Sequence, residues 1–123
     1  MNILVIEDEP SSLKLAHVVM AAEGNQVRDA DTALKGLDQI AREKPDVILL
    51  DLALPDKDGL TLARQIKSNP ATQDIFIVAI TAYPDRFKRE DALAAGCDAY
   101  VVKPISTREL PGAIDELFHR KSK

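Results

Sequence analysis

The sequence lacks the features that mark several common classes of protein. Only one of its 123 residues is a cysteine, so no internal disulfide can form, and tryptophan is absent. No apolar run approaches the ~20 residues that a membrane-spanning helix needs. An apolar segment of strand length begins already at Asn2, so no signal peptide is predicted before it. We therefore expect a cytoplasmic protein without a membrane anchor, in which Cys97 is a small core residue.

An excess of positive charge is also missing. The chain has 16 Lys and Arg against 20 Asp and Glu, which gives a net charge of −4, so no surface for nucleic acid is predicted. Its one basic cluster, residues 119–123, is interpreted as the solvated end of the last helix. His17 and His119 have no second histidine or cysteine at a metal-ligating spacing, so neither is predicted to bind a metal.

Apolar side chains, by contrast, are abundant and regularly spaced. Hydrophobic residues make up 46% of the chain, and the length predicts a single domain over residues 1–123 with its core at about 2–119. The predicted strands are residues 2–6, 26–30, 47–50, 75–80 and 99–102, and the predicted helices are residues 11–23, 31–42, 58–68, 84–95 and a last one from near 111. Alternating strands and helices predict a doubly wound α/β domain with one parallel sheet between two layers of helices.

The helical patterns also predict caps and core-facing residues. Asp31 is the predicted N-cap of the second helix, and Asp58 that of the third. The predicted inward residues of the first three helices are Leu15, Ala16, Val19 and Met20, then Leu34, Leu37, Ile40 and Ala41, and then Leu62, Ala63 and Ile66. Leu13 and Val18 lie off the first of these faces, either as ordinary exposed residues or as part of a docking surface.

Two prolines set the predicted starts of the last two helices. Pro84 suits the first turn of the fourth helix, which should run to Ala95. Pro111 and Gly112 disfavour a regular helix before them, so the last helix is predicted to begin near Pro111. Ser106 and Glu109 have the spacing of a capping box just before it.

Polar side chains follow four of the predicted strands. Glu7 and Asp8 come after the first, Asp51 after the third, Thr81 after the fourth and Lys103 after the fifth. A lone Asp51 could simply bond the backbone of its loop. However, the carboxyl ends of parallel strands meet at one edge of the sheet, with neighbours ~4.8 Å apart, so these groups should converge.

The predicted cluster has a specific chemistry. Three converging carboxylates raise one another's pKa unless a cation lies between them. A divalent cation with a preference for oxygen, such as Mg²⁺, resolves this conflict. The Lys103 ammonium and the Thr81 hydroxyl would then contact the oxygens of a phosphoryl group bound beside the cation.

At this point the chain resembles a known family, the receiver domain of two-component response regulators, over about residues 2–119. The motifs that carry the resemblance are Glu7-Asp8, Asp51 with Pro55 and Asp58-Gly59, Thr81-Ala82, and Lys103-Pro104. The resemblance implies a flavodoxin-like (βα)5 fold with strand order 2-1-3-4-5. It also implies a phosphorylation-dependent signalling switch rather than a metabolic enzyme.

The resemblance further implies roles for the acidic residues. Asp51 would receive the phosphoryl group from a phosphohistidine of a sensor histidine kinase or a histidine phosphotransfer protein. Asp8 would bind Mg²⁺ directly, and Glu7 would do so through water or as an outer ligand. Asp51 itself and the backbone carbonyl of Ala53 would complete the protein ligands.

The same resemblance implies a switch. Thr81 would move toward the phosphoryl group, and Tyr100 would turn inward with it. This would change the surface formed by the fourth helix, fifth strand and fifth helix, where a partner binds or phosphate is passed on. Tyr100 could instead be a half-buried aromatic residue on an edge strand. The Lys103-Pro104 peptide bond is expected to be cis.

Some residues depart from the family pattern. Glu7 stands where the family often has Asp, and its extra methylene is expected to bring the carboxylate closer to Lys103 or the cation. Ala53 has no polar side chain to hold a hydrolytic water, and Tyr83 is bulky enough to screen the site. We therefore expect a longer-lived acyl phosphate than in fast-cycling members of the family.

Three other functions compete with the switch. A phosphatase of the haloacid dehalogenase type also uses an Asp nucleophile, but it needs an Asp at the position of Ala53. A flavin carrier would need a phosphate-binding loop after the first strand, where Glu7, Asp8 and Glu9 would repel phosphate. A phosphate-independent adaptor on this fold is favoured by loss of the acidic pair, the acceptor or the lysine, and all of them are present. Whether the chain is a whole protein or a domain of a longer regulator stays open.

Overall fold

Five strands and five helices alternate along residues 1–122, which are the residues that the computed structural model describes. The strands are β1 (Asn2–Ile6), β2 (Gln26–Ala30), β3 (Val47–Asp51), β4 (Phe76–Thr81) and β5 (Ala99–Val102). The helices are α1 (Pro10–Ala22), α2 (Ala33–Arg42), α3 (Gly59–Ser68), α4 (Arg89–Ala94) and α5 (Leu110–Ser122). Of the predicted basic end of the chain, Lys123 and the side chains after His119 lie outside the described residues.

The strands form one parallel sheet in the order β2-β1-β3-β4-β5, which confirms the predicted fold. Ile6 is paired with Leu50, and Thr81 with Val102. The carboxyl ends of β1, β3, β4 and β5, where the polar groups occur, therefore lie side by side at one edge of the sheet. Every residue of β3 is buried, as its continuous apolar run predicts for a strand covered on both faces.

The two faces of the sheet have separate cores, because successive side chains of a strand point to opposite faces. One core joins Leu4, Ile48, Leu50 and Ile77 to α2, α3 and α4. The other joins Ile3, Val5, Leu49 and Val78 to α1 and α5. Cys97 is buried, as predicted. Among the described residues, no helix is long and apolar enough to cross a membrane.

Helix α2 differs from its prediction at its cap and in its buried face. The N-cap is Thr32, whose hydroxyl accepts the N–H of Lys35 at 3.0 Å, whereas Asp31 forms an exposed ion pair with the Lys35 ammonium. The buried residues are Ala33, Gly36 and Ile40. Gly36 allows this close approach, because a Cβ there would lie 2.6 Å from the Cδ1 of Ile6.

The prediction was accordingly wrong for Leu34 and Ala41. Both are exposed, Leu34 by 72%, whereas Leu37 is partly buried against the core and Ile40 is buried, as predicted. Ala33 and Gly36 are small, so this face of the helix can pack closely on the sheet. A face centred on Leu34 would have held the helix further away.

Helix α4 is much shorter than predicted. It begins at Arg89 instead of Pro84, since Lys88 is extended with φ −80° and ψ 153°. Residues 84–87 form a separate turn, closed by the N–H of Phe87 on the carbonyl of Tyr83 at 2.9 Å. Burial of the Phe87 side chain fixes that turn against the core, so the chain must change direction before α4 can start.

The other helix predictions agree with the structure except in α1, where Leu15 is 41% exposed and Leu13 is partly buried against the core. α3 begins after the Asp58 cap and buries Leu62, Ala63 and Ile66. α5 begins at Leu110, one residue before Pro111, and the Ser106 hydroxyl accepts the N–H of Glu109 at 3.1 Å. In α1, Ala16 and Met20 are buried, and Val18 is exposed.

Candidate functional site

Three carboxylates converge at the carboxyl edge of the sheet. Because β1 and β3 are neighbours and Ile6 is paired with Leu50, Glu7 and Asp51 leave adjacent strands side by side. Oxygen atoms of Glu7, Asp8 and Asp51 all lie within 4.8 Å of one another. Glu7 and Asp51 are only 4% and 5% exposed, whereas Asp8 is exposed. The predicted convergence of these residues is therefore present.

Lys103 completes the cluster from the end of β5. Its Nζ donates a hydrogen bond to Oε1 of Glu7 and lies 3.6 Å from Oδ2 of Asp51. The Lys103 N–H donates to the carbonyl of Thr81 at 2.8 Å, so the residue is also fixed through its backbone. The Lys103-Pro104 peptide bond is cis, as the resemblance implied. Glu7 is close enough to contact this lysine, in agreement with the expectation from its extra methylene.

The ionisable groups of the cluster have pKa values shifted in different directions. Burial raises the pKa of Asp51 to about 7, and its hydrogen bond with Glu7 adds to the shift. Burial opposes ionisation of Glu7 as well, but hydrogen bonds from Asp51 and Lys103 lower the pKa of Glu7 overall. The pKa of Lys103 is raised in spite of burial, because both carboxylates favour its charged form. Below about pH 7, a proton on Asp51 therefore offsets part of the crowded negative charge.

The donor set fits a hard divalent cation. All three candidate side chains offer carboxylate oxygen, and two of them are buried with one lysine as their counter-charge. Mg²⁺ binds such oxygen ligands, often one or two carboxylates with several waters. Among the described residues, this is the one group of three or more acidic, histidine or cysteine side chains with the spacing of a metal site.

The histidines take no part in such a site. His17 Nδ1 contacts Oδ1 of Asp29 at 2.7 Å on the exposed face of α1. His119 Nδ1 lies 2.8 Å from the backbone carbonyl of Asp115 within α5. Both contacts are exposed to solvent, and neither histidine belongs to the acidic cluster.

Thr81 ends β4 beside the acidic cluster. β4 is the neighbour of β3, and Asp51 is paired with Ile80, so Thr81 lies one residue beyond the partner of Asp51. Its side chain is buried, and its hydroxyl oxygen accepts the N–H of Tyr83 at 2.9 Å. The hydroxyl proton is therefore not used in that bond and can be donated elsewhere.

Tyr100 lies in β5 with its ring partly buried against the core under α4. Its hydroxyl donates a hydrogen bond to the backbone carbonyl of Phe87, in the turn before α4. The ring is thus attached to the segment that joins Thr81 to α4. Its movement with Thr81 stays a prediction.

The loop after β3 is held at both ends. The N–H of Ala53 donates to Oδ1 of Asp51 at 3.0 Å, and Ala53 forms an isolated antiparallel bridge with Asp58. Oδ1 of Asp58 in turn accepts the N–H of Leu60 as the cap of α3. The next residue must be glycine, because a Cβ on Gly59 would lie 2.5 Å from the Cα of Leu52. The start of α3 is therefore packed against Leu52, the residue that follows β3.

Asp56 is a residue of this loop whose role the sequence did not indicate. Its two carboxylate oxygens accept the N–H groups of Ala33 and Leu34, at 2.8 and 3.0 Å. These two hydrogen bonds lower the pKa of Asp56. An acidic residue in a loop is a common sequence feature, and only the fold shows that this one caps a helix 22 residues earlier in the chain.

A cavity of about 310 Å³ opens beside the cluster, between α1 and the segment after β5. Its walls include Leu15, Ala16, Ile80 and Ile105 together with Asp51. Leu15 was predicted to face the core, but it lines this cavity and is 41% exposed. The aliphatic walls lower the polarity around Asp51, which favours its protonated form.

A family model described as the response regulator receiver domain matches residues 3–115. The KDP operon transcriptional regulatory protein KdpE of Escherichia coli is 32% identical over 121 residues, which cover 98% of this chain and 52% of KdpE. The chain thus spans about half the length of this relative.

Two similar proteins have nearly the same length as the chain. The polar-differentiation response regulator DivK of Brucella anthropi is 30% identical over 105 residues, which cover 85% of each protein. The crystal structure of a CheY-like response regulator receiver domain protein from Methanospirillum hungatei superposes with a TM-score of 0.90 at 29% identity, covering 98% of this chain and 95% of that one.

Proposed function

Because the chain belongs to the response regulator receiver domain family of two-component signalling, we propose that it is a switch whose phosphate acceptor is Asp51. The observation that carries this proposal is the convergence of Glu7, Asp8 and Lys103 on that one buried carboxylate. We also propose that residues 1–123 form a single receiver domain. A sensor histidine kinase or a histidine phosphotransfer protein would be the donor.

Glu7, Asp8, Asp51 and the backbone carbonyl of Ala53 would hold Mg²⁺ in the active protein. When bound, the cation would neutralise charge on the carboxylates and on the oxygens of the phosphoryl group. The cluster supports this role because it consists of oxygen donors and carries more negative charge than Lys103 alone can balance.

Phosphorylation would proceed by attack of an ionised Oδ of Asp51 on the phosphorus of the donor phosphohistidine. The new bond joins this oxygen to phosphorus, the bond between phosphorus and the imidazole nitrogen breaks, and the nitrogen keeps the electron pair and takes up a proton. The Lys103 ammonium would contact the phosphoryl oxygens as their charge develops, which stabilises the transition state. Its held position, 3.6 Å from Oδ2, supports this role.

The signal would then pass through Thr81 and Tyr100. The hydroxyl proton of Thr81, which is not used in the bond with the N–H of Tyr83, can be donated to a phosphoryl oxygen. Since Tyr100 binds Phe87 in the following turn, a shift of this segment would change the surface of α4, β5 and α5. Leu93 and Val102 are exposed there, and a protein partner would bind this surface or receive the phosphate.

The direct test is phosphorylation of the purified chain by a small donor. With Mg²⁺ and acetyl phosphate, we expect the intact mass to increase by one phosphoryl group, and peptide mapping should place it on Asp51. Asp51→Ala should show no increase, and chelation of Mg²⁺ with EDTA should prevent it in the wild type. A folded Asp51→Ala protein that is modified as readily as the wild type would refute the assignment.

The lifetime of the acyl phosphate is a separate prediction. Ala53 offers no polar side chain for a hydrolytic water, and Tyr83, two residues after Thr81, is 57% exposed. We expect Ala53→Asn and Tyr83→Glu each to shorten the lifetime by about threefold, since a positioned polar group can assist attack by water. Decay of the phosphorylated mass after removal of the donor measures it.

Val18→Asn provides the control for these two variants, because Val18 is 55% exposed on α1 and does not belong to the acidic cluster. Its decay rate should equal that of the wild type. Equal lifetimes in all four proteins would show that neither Ala53 nor Tyr83 protects the acyl phosphate.

A further inference from the structure

The carboxylate of Asp56 joins the loop after β3 to the first turn of α2. It accepts the N–H of Ala33 with Oδ1 and the N–H of Leu34 with Oδ2. The side chain thus satisfies two of the helix donors that have no partner inside the helix. Among the hydrogen bonds between described residues, these two are the ones that connect α2 with this loop.

The remaining first-turn donors of α2 are satisfied from its own N-cap. The Thr32 hydroxyl accepts the N–H of Lys35, and the Thr32 carbonyl accepts the N–H of Gly36. Thr32 and Asp56 therefore stabilise the same end of the same helix. They differ in one respect, because only Asp56 belongs to the loop that carries Ala53.

The position of Asp56 in the loop gives it a second effect. It stands three residues after Ala53, and the bridge between Ala53 and Asp58 spans it. The loop is attached to β3 through Asp51, to α3 through the Asp58 cap, and to α2 through Asp56. The loop that contains Ala53 is therefore attached to three different elements.

We propose that Asp56 is a positioning residue for the cation site, which holds the β3–α3 loop against α2 so that the backbone carbonyl of Ala53 is oriented toward the Glu7, Asp8 and Asp51 carboxylates. This inference rests on the proposed function, in which that carbonyl is a ligand. The inference adds a residue that is not itself a ligand, and it predicts that binding of the cation affects α2. By linkage, a cation that orders the loop also strengthens the two bonds to α2.

Isothermal titration of the unphosphorylated chain with Mg²⁺ tests the proposal. In Asp56→Ala we expect the Mg²⁺ dissociation constant to increase by about three- to tenfold, because the side chain that orients the Ala53 ligand is removed. Thr32→Ala removes a cap of comparable strength and should stay within about twofold of the wild type. Asp56→Asn retains one acceptor oxygen and should give an intermediate value.

Amide hydrogen exchange provides a readout that helix stability alone would not change. Addition of Mg²⁺ to the wild type should slow exchange of the Ala33 and Leu34 amides. In Asp56→Ala these amides should be unaffected by Mg²⁺, whereas in Thr32→Ala they should still respond.

The outcomes are distinct. Wild-type affinity in Asp56→Ala, or an equal loss in Thr32→Ala, would overturn the positioning role and leave the proposed function intact. A wild-type protein that binds no Mg²⁺ would overturn the cation part of the proposed function and this inference with it. If Asp56→Ala does not fold, Asp56→Asn decides the question by the same comparison.

Discussion

Replacement of Lys103 by methionine is expected to slow phosphorylation of Asp51 by acetyl phosphate about a hundredfold, since loss of one fixed donor at a developing charge typically costs this much. Methionine retains the length and the apolar stem of the side chain but not its charge. The Nζ lies 3.6 Å from Oδ2 of Asp51, and the same group is bonded to Glu7. The variant therefore removes the positive charge nearest to the acceptor. The rate at which the phosphorylated mass appears at saturating Mg²⁺ measures the effect.

Lys44→Met is the matched control for Lys103→Met. Lys44 pairs with Asp74 at an exposed position away from the acidic cluster, so its loss should leave the rate unchanged and the protein folded. A Lys103→Met protein that binds Mg²⁺ but is phosphorylated at the wild-type rate would show that the cation alone stabilises the transition state. A reduced rate in both variants would indicate a nonspecific effect of charge instead.

The site could be predicted from the sequence because its geometry follows from the sheet. β3 is a run of apolar residues that ends in Asp51. The strands that end at Thr81 or just before Glu7 and Lys103 are parallel to it. In a parallel sheet, residues far apart in sequence meet at the carboxyl edge whatever the detailed packing of the helices. The convergence of the cluster depends on this rule and not on exact helix boundaries, which explains why it was predicted correctly.

The failed predictions concern features that depend on tertiary contacts. The face of α2 was assigned from its largest apolar residues, but Gly36 and Ala33 pack on the sheet and Leu34 is exposed. The start of α4 was assigned from Pro84, but Phe87 is buried and residues 84–87 form a separate turn before the helix. Asp56 could not be assigned at all, because its partners are N–H groups of another helix. Local sequence patterns carry no information about such contacts.

Stability of the Mg²⁺-free protein should decrease as the pH rises from 5 to 8. Burial, with help from Glu7, raises the pKa of Asp51 from 3.8 to about 7. Between these two values the folded state holds a proton that the unfolded chain has released, so an increase in pH favours unfolding. We expect a loss of about 2 kcal/mol in the free energy of unfolding over this range. Glu7 contributes little there, since its pKa is lowered from 4.5 and its contribution is complete above that pH.

Urea unfolding in EDTA at a series of pH values measures this slope, and Asp51→Asn should remove most of it because asparagine does not titrate. Mg²⁺ should act in the opposite direction, because the cation binds ionised Asp51 and competes with the proton. The stabilisation that Mg²⁺ gives should therefore be larger at pH 8 than at pH 5, and binding near pH 6 should release a proton. An equal slope in wild type and Asp51→Asn would assign the pH dependence to other groups. An unchanged slope in the presence of Mg²⁺ would mean that the cation does not bind at Asp51, because one carboxylate cannot hold a proton and a directly bound cation at the same oxygen.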